Sequence, residues 1–228
     1  QRVVLDGQTL LSGNKVFDQS MRVGMIWFIF TEVMFFAALF GVLFYIRVWV
    51  LPQLGGLVPA KVMTHTILWP DFQATWPLQQ TPDGTVKDIQ PVLAMGIPAF
   101  NTIILLLSGV TITISHHYLY LERYMQSARW LLTTVALGVF FLIMQFYEYA
   151  HAISSGFTHQ SGIYGNIFYF MTGFHGLHVL IGSVILFVMY LRMKRGHFSA
   201  DSHFGFEASA WYWHFVDVVW LMLFVFVY

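Results

Sequence analysis

Between Arg22 and Arg47 a single charged side chain, Glu32, interrupts an otherwise apolar run. A stretch of roughly 20 apolar residues is enough to cross a hydrocarbon core as a helix. This run is longer than that, so it constrains the fold more than any other feature. Glu32 lies ten residues past Arg22, which on a helix is roughly 15 Å and places it near mid-bilayer. A carboxyl group at that depth is costly and is a functional candidate by default.

The remaining sequence agrees with a membrane chain. It has 228 residues, of which 57% are hydrophobic and 10% charged, where soluble domains carry about 25% charged residues. Mean hydropathy is +0.66. The formal net charge is zero, which gives nucleic acid no electrostatic footprint. The absence of cysteine excludes disulfides, thiolate metal sites and a cysteine nucleophile. The first twenty residues lack the compact apolar core of a secretory signal.

Five apolar spans are predicted, at about 22–49, 95–120, 130–152, 164–191 and 208–228, giving an all-α polytopic helix bundle. Residues 1–20 read as a linker at the inner face. Residues 51–93 read as a long outer loop, with Pro52 at its start as the stop of the first helix. Asn101, Ser108 and Ser115 recur every seven residues, so they share one face of the second span. Small polar residues on one stripe suit helix packing in lipid. Orientation follows from the cations. Arg2, Lys15, Arg22, Arg123, Arg129, Arg192, Lys194 and Arg195 fall on one side, against Arg47, Lys61 and Lys87 on the other. That bias puts the N-terminus inside and the C-terminus outside.

Three acids sit within or near the ends of spans: Glu32, Glu148 and Asp217. Asp217 is one turn from His214, and the two read as a satisfied interhelical polar pair rather than a reactive site. Ten histidines raise the question of a metal or haem. Glu148-x-x-His151 matches one arm of a di-iron helix pattern, but a second Glu-x-x-His is missing. His116, His117, His151, His159, His175 and His178 fall at depths that do not pair as haem ligands, so no metal or redox cofactor is expected in this chain. Arg192, Lys194, Arg195, His197 and His203 form a basic cluster at the inner face. It reads either as ordinary positive-inside charge or as a headgroup site for anionic lipid.

The last third of the sequence carries a specific resemblance. Thr172-Gly173-Phe174-His175-Gly176-Leu177-His178-Val179, His203-Phe204-Gly205-Phe206-Glu207 and Trp211-Tyr212-Trp213-His214-Phe215-Val216-Asp217-Val218-Val219-Trp220 closely resemble subunit III of haem–copper respiratory oxidases. Phe30-Thr31-Glu32-Val33-Met34-Phe35-Phe36, Ser108-Gly109-Val110-Thr111, His116-His117 and Gly162-Ile163-Tyr164-Gly165 fit the same family in the same order.

The resemblance implies a non-redox subunit of an aa3-type, proton-pumping cytochrome c oxidase. Haem a, haem a3 and copper would sit in partner subunits. Subunit I would be the direct partner, with subunit II and small subunits beside it, and phospholipid would be tightly held. On this match Glu32 is the buried carboxylate, a candidate for the proton or oxygen path. Arg192, Arg195, His197 and Asp6 fall at lipid-headgroup positions. The implied role is support of proton uptake, oxygen access and stability of subunit I, with no catalytic residue in the chain itself. The location would be a bacterial inner membrane or, alternatively, the mitochondrial one.

Members of that family commonly have seven spans, and the matched blocks correspond to the last five. The expectation is that two front helices are missing from this sequence or belong to another polypeptide, as in five-span quinol-oxidase versions. A subunit III of a quinol oxidase is therefore the alternative, and a free-standing membrane metalloenzyme the remote one. A secondary transporter fits poorly, since no internal repeat is apparent.

Overall fold

The computed structural model describes residues 15–84, 92–196, 198 and 203–228. Among these there is no strand. Five long helices carry the chain: α1 (Lys15–Tyr45), α4 (Ile97–Tyr120), α5 (Tyr124–Ser154), α6 (Gly162–Lys194) and α7 (Phe204–Phe226). The short α2 (Leu51–Leu54) and α3 (Val62–Leu68) lie between α1 and α4. All five long helices are long and apolar enough to cross a membrane, so the fold is the expected all-α membrane bundle.

Pro52 does not end the first helix. The continuous helical span runs from Asp18 to Leu54, because residues Ile46–Val50 form a π-helical turn just before the proline. Leu51 N–H bonds to Ile46 O, five residues back. Proline lacks an N–H and clashes with the carbonyl of residue i−4 in a regular helix. The wider turn removes that conflict and places Pro52 in the first turn of α2, where its missing donor is harmless.

The chain comprises two compact units, each taking one portion of every long helix. The first holds Gln1–Val33, Ile104–Phe140 and Val179–Val218; the second holds Met34–Ile103, Phe141–His178 and Val219–Tyr228.

The core of the first unit is built around Trp213, which is fully buried. Its indole N–H donates to Ser108 Oγ at 2.8 Å. The ring lies against two glycines. A Cβ on Gly138 would fall 2.6 Å from Trp213 Cη2, and one on Gly182 would fall 3.0 Å from the same ring. Small residues that admit a large neighbour are the means by which helices approach in lipid, where burial of apolar surface gives no drive. Further toward the end of α4, Ser115 Oγ donates to Ser127 O at 2.8 Å and Ser127 Oγ returns a bond to Ser115 O at 2.7 Å. The seven-residue stripe is thus interior: Asn101, Ser108 and Ser115 are all fully buried.

In the second unit Trp220 takes the central place. Its N–H donates to Thr102 Oγ1 at 3.0 Å. Phe141 meets the ring edge-on at 4.7 Å, and His175 lies tilted against it at 5.0 Å.

Candidate functional site

Glu32 sits on α1, the helix least embedded in its own bundle. Only 11% of the most apolar stretch of that span is buried, against 28–56% for the other four. Glu32 itself is half-buried. In the first unit its surroundings come from α7. Phe28, one turn before Glu32, stacks on the Tyr212 ring of α7 at 6.1 Å.

Polar and aromatic contacts hold α1. At its first turns, within the first unit, Arg22 is the clasp. Its Nε meets Asp18 Oδ2 at 2.9 Å and its Nη2 meets Glu207 Oε2 at 2.8 Å. The guanidinium also lies 5.4 Å over the Phe204 ring. In the second unit the helix is held by aromatic contacts. Phe36 packs against the His178 ring at 5.1 Å, and Arg47 lies 5.3 Å over the Trp76 ring. His178 Nδ1 is fixed by Phe174 O at 2.7 Å, which orients the imidazole against Phe36.

The sequence does not pair Arg22 with Glu207; by position alone Arg22 is one inner-face charge among several. The available signal was that both are lone charges beside apolar runs. Replacing Arg22 by alanine should cost about 1 kcal/mol, since the pair is partly exposed and screened. Hydrogen–deuterium exchange should then rise in residues 18–33 and stay unchanged in α5. Unaltered exchange in residues 18–33 would mean that the clasp does not hold α1.

His214 and Asp217 are both on α7. Nδ1 of the first lies 3.8 Å from Oδ2 of the second. The interhelical element comes from α4: Thr113 Oγ1 is 3.4 Å from His214 Nε2. Asp217 occupies a seat formed by Gly109, where a Cβ would fall 2.6 Å from Asp217 Oδ2. Asp217 Oδ1 is enclosed with no hydrogen-bond partner.

At the end of α6, Arg192 is half-buried and its guanidinium lies 5.2 Å over the Phe198 ring. Lys194 and Arg195 are exposed. Cations in a last helical turn also face the negative end of the helix dipole. His197 and Asp6, the other two headgroup candidates, lie outside the described residues.

His116 and His175 pack against aromatic rings. His116 lies 5.7 Å from the His203 ring and 4.8 Å from Tyr120. His175 is buried between Phe141 and Trp220. Among the described residues no three histidine, aspartate or glutamate side chains group as metal ligands would. Glu148 is 3% exposed, and its Oε1 accepts the Tyr228 hydroxyl at 2.7 Å.

Known proteins resemble this chain over most of its length. A family model described as Cytochrome c oxidase subunit III matches residues 62–228. The Cytochrome c oxidase subunit 3 of Hippopotamus amphibius is 43% identical over 213 residues, covering 93% of this chain and 70% of that protein. That of Dugong dugon is 43% identical over 211 residues, covering 92% and 70%. That of Loxodonta africana is 40% identical over 226 residues, covering 99% and 76%.

Proposed function

The chain belongs to the cytochrome c oxidase subunit III family, and from that premise we propose that it is a non-redox subunit of an aa3-type, proton-pumping oxidase that sustains proton uptake, oxygen access and durability of subunit I. Haem a, haem a3 and copper belong, on this reading, to its partners. Subunit I packs directly against it, with subunit II and small subunits in the same complex. The membrane is the inner membrane of a respiring bacterium or of a mitochondrion, with the N-terminus inside and the 51–93 loop outside. Phospholipid headgroups meet Arg192, Arg195, His197 and Asp6.

One observation carries the reading. Glu32 sits half-buried on the least embedded helix, one turn from Phe28, which stacks on Tyr212 of α7. A carboxyl group at mid-span is too costly to leave against acyl chains. On this reading protein, water or a lipid headgroup of the assembled complex lies beside the exposed part of its helix. Through that contact Glu32 shapes the water and packing beside subunit I and passes no electron itself.

The test is replacement of Glu32 by Gln and by Ala in the intact oxidase. Haem spectra should be unchanged in both. Activity should decay in fewer turnovers, or proton uptake slow, with Ala more affected than Gln because Gln keeps a polar group at the site. Sustained turnover and pumping equal to wild type in both variants would overturn the assignment of Glu32.

A further inference from the structure

We infer that α3 lies in the membrane interface and docks the segment between α1 and α4 on the bilayer, with Met63 and Ile67 inserted among phospholipids. This contact requires only that the chain spans a membrane. It is separate from the headgroup positions proposed at the end of α6.

α3 is pinned to the end of a membrane span. The first span ends at Leu54, and Leu54 O lies 2.8 Å from Nδ1 of His65, in the middle of α3. A carbonyl only accepts, so Nδ1 carries the proton and donates it. The imidazole sits on Gly56, where a Cβ would fall 2.7 Å from His65 Cδ2. Gly56 has a φ of +70°, a conformation open to glycine at no steric cost. The helix is therefore held at the level where the first span leaves the lipid.

Its polarity is inverted. Successive helical residues turn by about 100°, so Met63 and Ile67 share one face and His65 lies on the opposite one. His65 faces the protein, whereas Met63 and Ile67 are 75% and 71% exposed. A helix on a protein surface in water turns its apolar stripe to the core and its polar side chains outward. α3 does the reverse, and it contains no Asp, Glu, Lys or Arg. An exposed apolar surface of this kind marks a contact.

Two features identify the bilayer as the partner. The neighbouring surface is of the kind that meets lipid: near the end of the first span, in the same unit, Phe44, Val48 and Trp49 are exposed. Tyr45 meets Trp49 edge-on at 5.5 Å, and exposed Tyr and Trp are the residues enriched at headgroup level. The charge is complementary as well. From Ile46 to Pro70 the chain carries Arg47 and Lys61 and no acid, and Lys61 is exposed immediately before α3. A cation beside an apolar helical face is the pattern of helices that lie in the interface, with the apolar side chains in the acyl boundary and the cation at phosphate.

The experiment uses the intact complex in nanodiscs of phosphatidylcholine and phosphatidylglycerol. A benzophenone amino acid is placed at Met63, at Ile67 and, as the water-facing control, at Gln79, which is exposed in the same unit. On irradiation Met63 and Ile67 should give phospholipid adducts, identified by mass spectrometry, and Gln79 should give none. Adducts to a second polypeptide at both positions, or no adduct at either, would overturn the inference. In parallel, hydrogen–deuterium exchange in residues 62–68 should rise several-fold in the double variant Met63→Glu with Ile67→Glu, while exchange in α4 stays unchanged. Both side chains are exposed, so their replacement leaves the packing of the unit intact. Exchange in residues 62–68 equal to wild type would overturn the inference too. Failure of either arm in a chain that copurifies with haem–copper subunits defeats this inference alone. A wild-type chain that copurifies with none of them defeats the functional reading and leaves the interfacial contact standing.

Discussion

Replacing Trp213 by alanine should destabilise the chain by about 3–5 kcal/mol, the range for removing a large aromatic from a packed core. Its surroundings place it toward the upper end. The residue is fully buried, and it sits in hollows made by Gly138 and Gly182. Those positions have no side chain that can swing into the void, and the cost of a cavity depends on how far the site can collapse. The lost bond from Nε1 to Ser108 Oγ, 2.8 Å long, adds about 1 kcal/mol. Trp213→Phe should lie between wild type and alanine, since it keeps much of the volume but not the donor. Gly138→Val tests the same contact from the other side. Its side chain would meet Trp213 Cη2 and Ser183 Oγ at 2.6 and 2.8 Å from the first added atom alone, and overpacking of this kind costs about 1–3 kcal/mol. Thermal loss of monodisperse complex in detergent measures all three. An alanine variant within about 1 kcal/mol of wild type would mean that Trp213 is not the keystone of its unit.

The helices were legible because crossing a bilayer demands about 20 apolar residues in a row, and such runs are visible without any knowledge of contacts. Their ends were less so. The third span was expected to begin at 130, yet α5 begins at Tyr124. Arg129 closes the apolar run but not the helix: it points outward, while Ser127 and Ala128 beside it are buried. The stripe of Asn101, Ser108 and Ser115 was legible because a seven-residue period on a helix fixes one face. Its partners were not, since nothing local to Ser108 names Trp213. The same limit applies to the site. Glu32 stands out as a lone charge in an apolar run, whereas Arg22 holds Glu207 across most of the chain length. Gly109 looked like any small residue of a membrane helix until Asp217 was found against it. Sequence reports the cost of placing a group in lipid, but the partner that offsets that cost is usually distant in the chain.

Glu148 shows how such a partner can be found by experiment. Tyr228→Phe should cost about 1–3 kcal/mol, the penalty for leaving a buried polar group without its hydrogen bond. The ring would stay, so packing against Phe168 and Trp220 at 5.1 and 5.9 Å is retained. What goes is the donor to Glu148 Oε1 at 2.7 Å. Glu148 Oε2 is already enclosed with no partner, as is Gln145 Oε1 three residues before it. Removing the phenol therefore takes the Tyr228 donor from a carboxyl group that is 3% exposed. Glu148→Gln changes that balance, because an amide brings two N–H donors in place of an oxygen and offers them to Gln145 Oε1. In the Glu148→Gln background the loss of the Tyr228 hydroxyl should accordingly cost less, with a coupling of about 1 kcal/mol in a double-mutant cycle. Strict additivity would show that Glu148 and Tyr228 are neighbours without energetic dependence. Turnover durability should remain at the wild-type level in Tyr228→Phe at temperatures where the fold is intact. That result would separate an acid that holds helices together from the role proposed for Glu32, whose replacement should act on turnover while the fold persists.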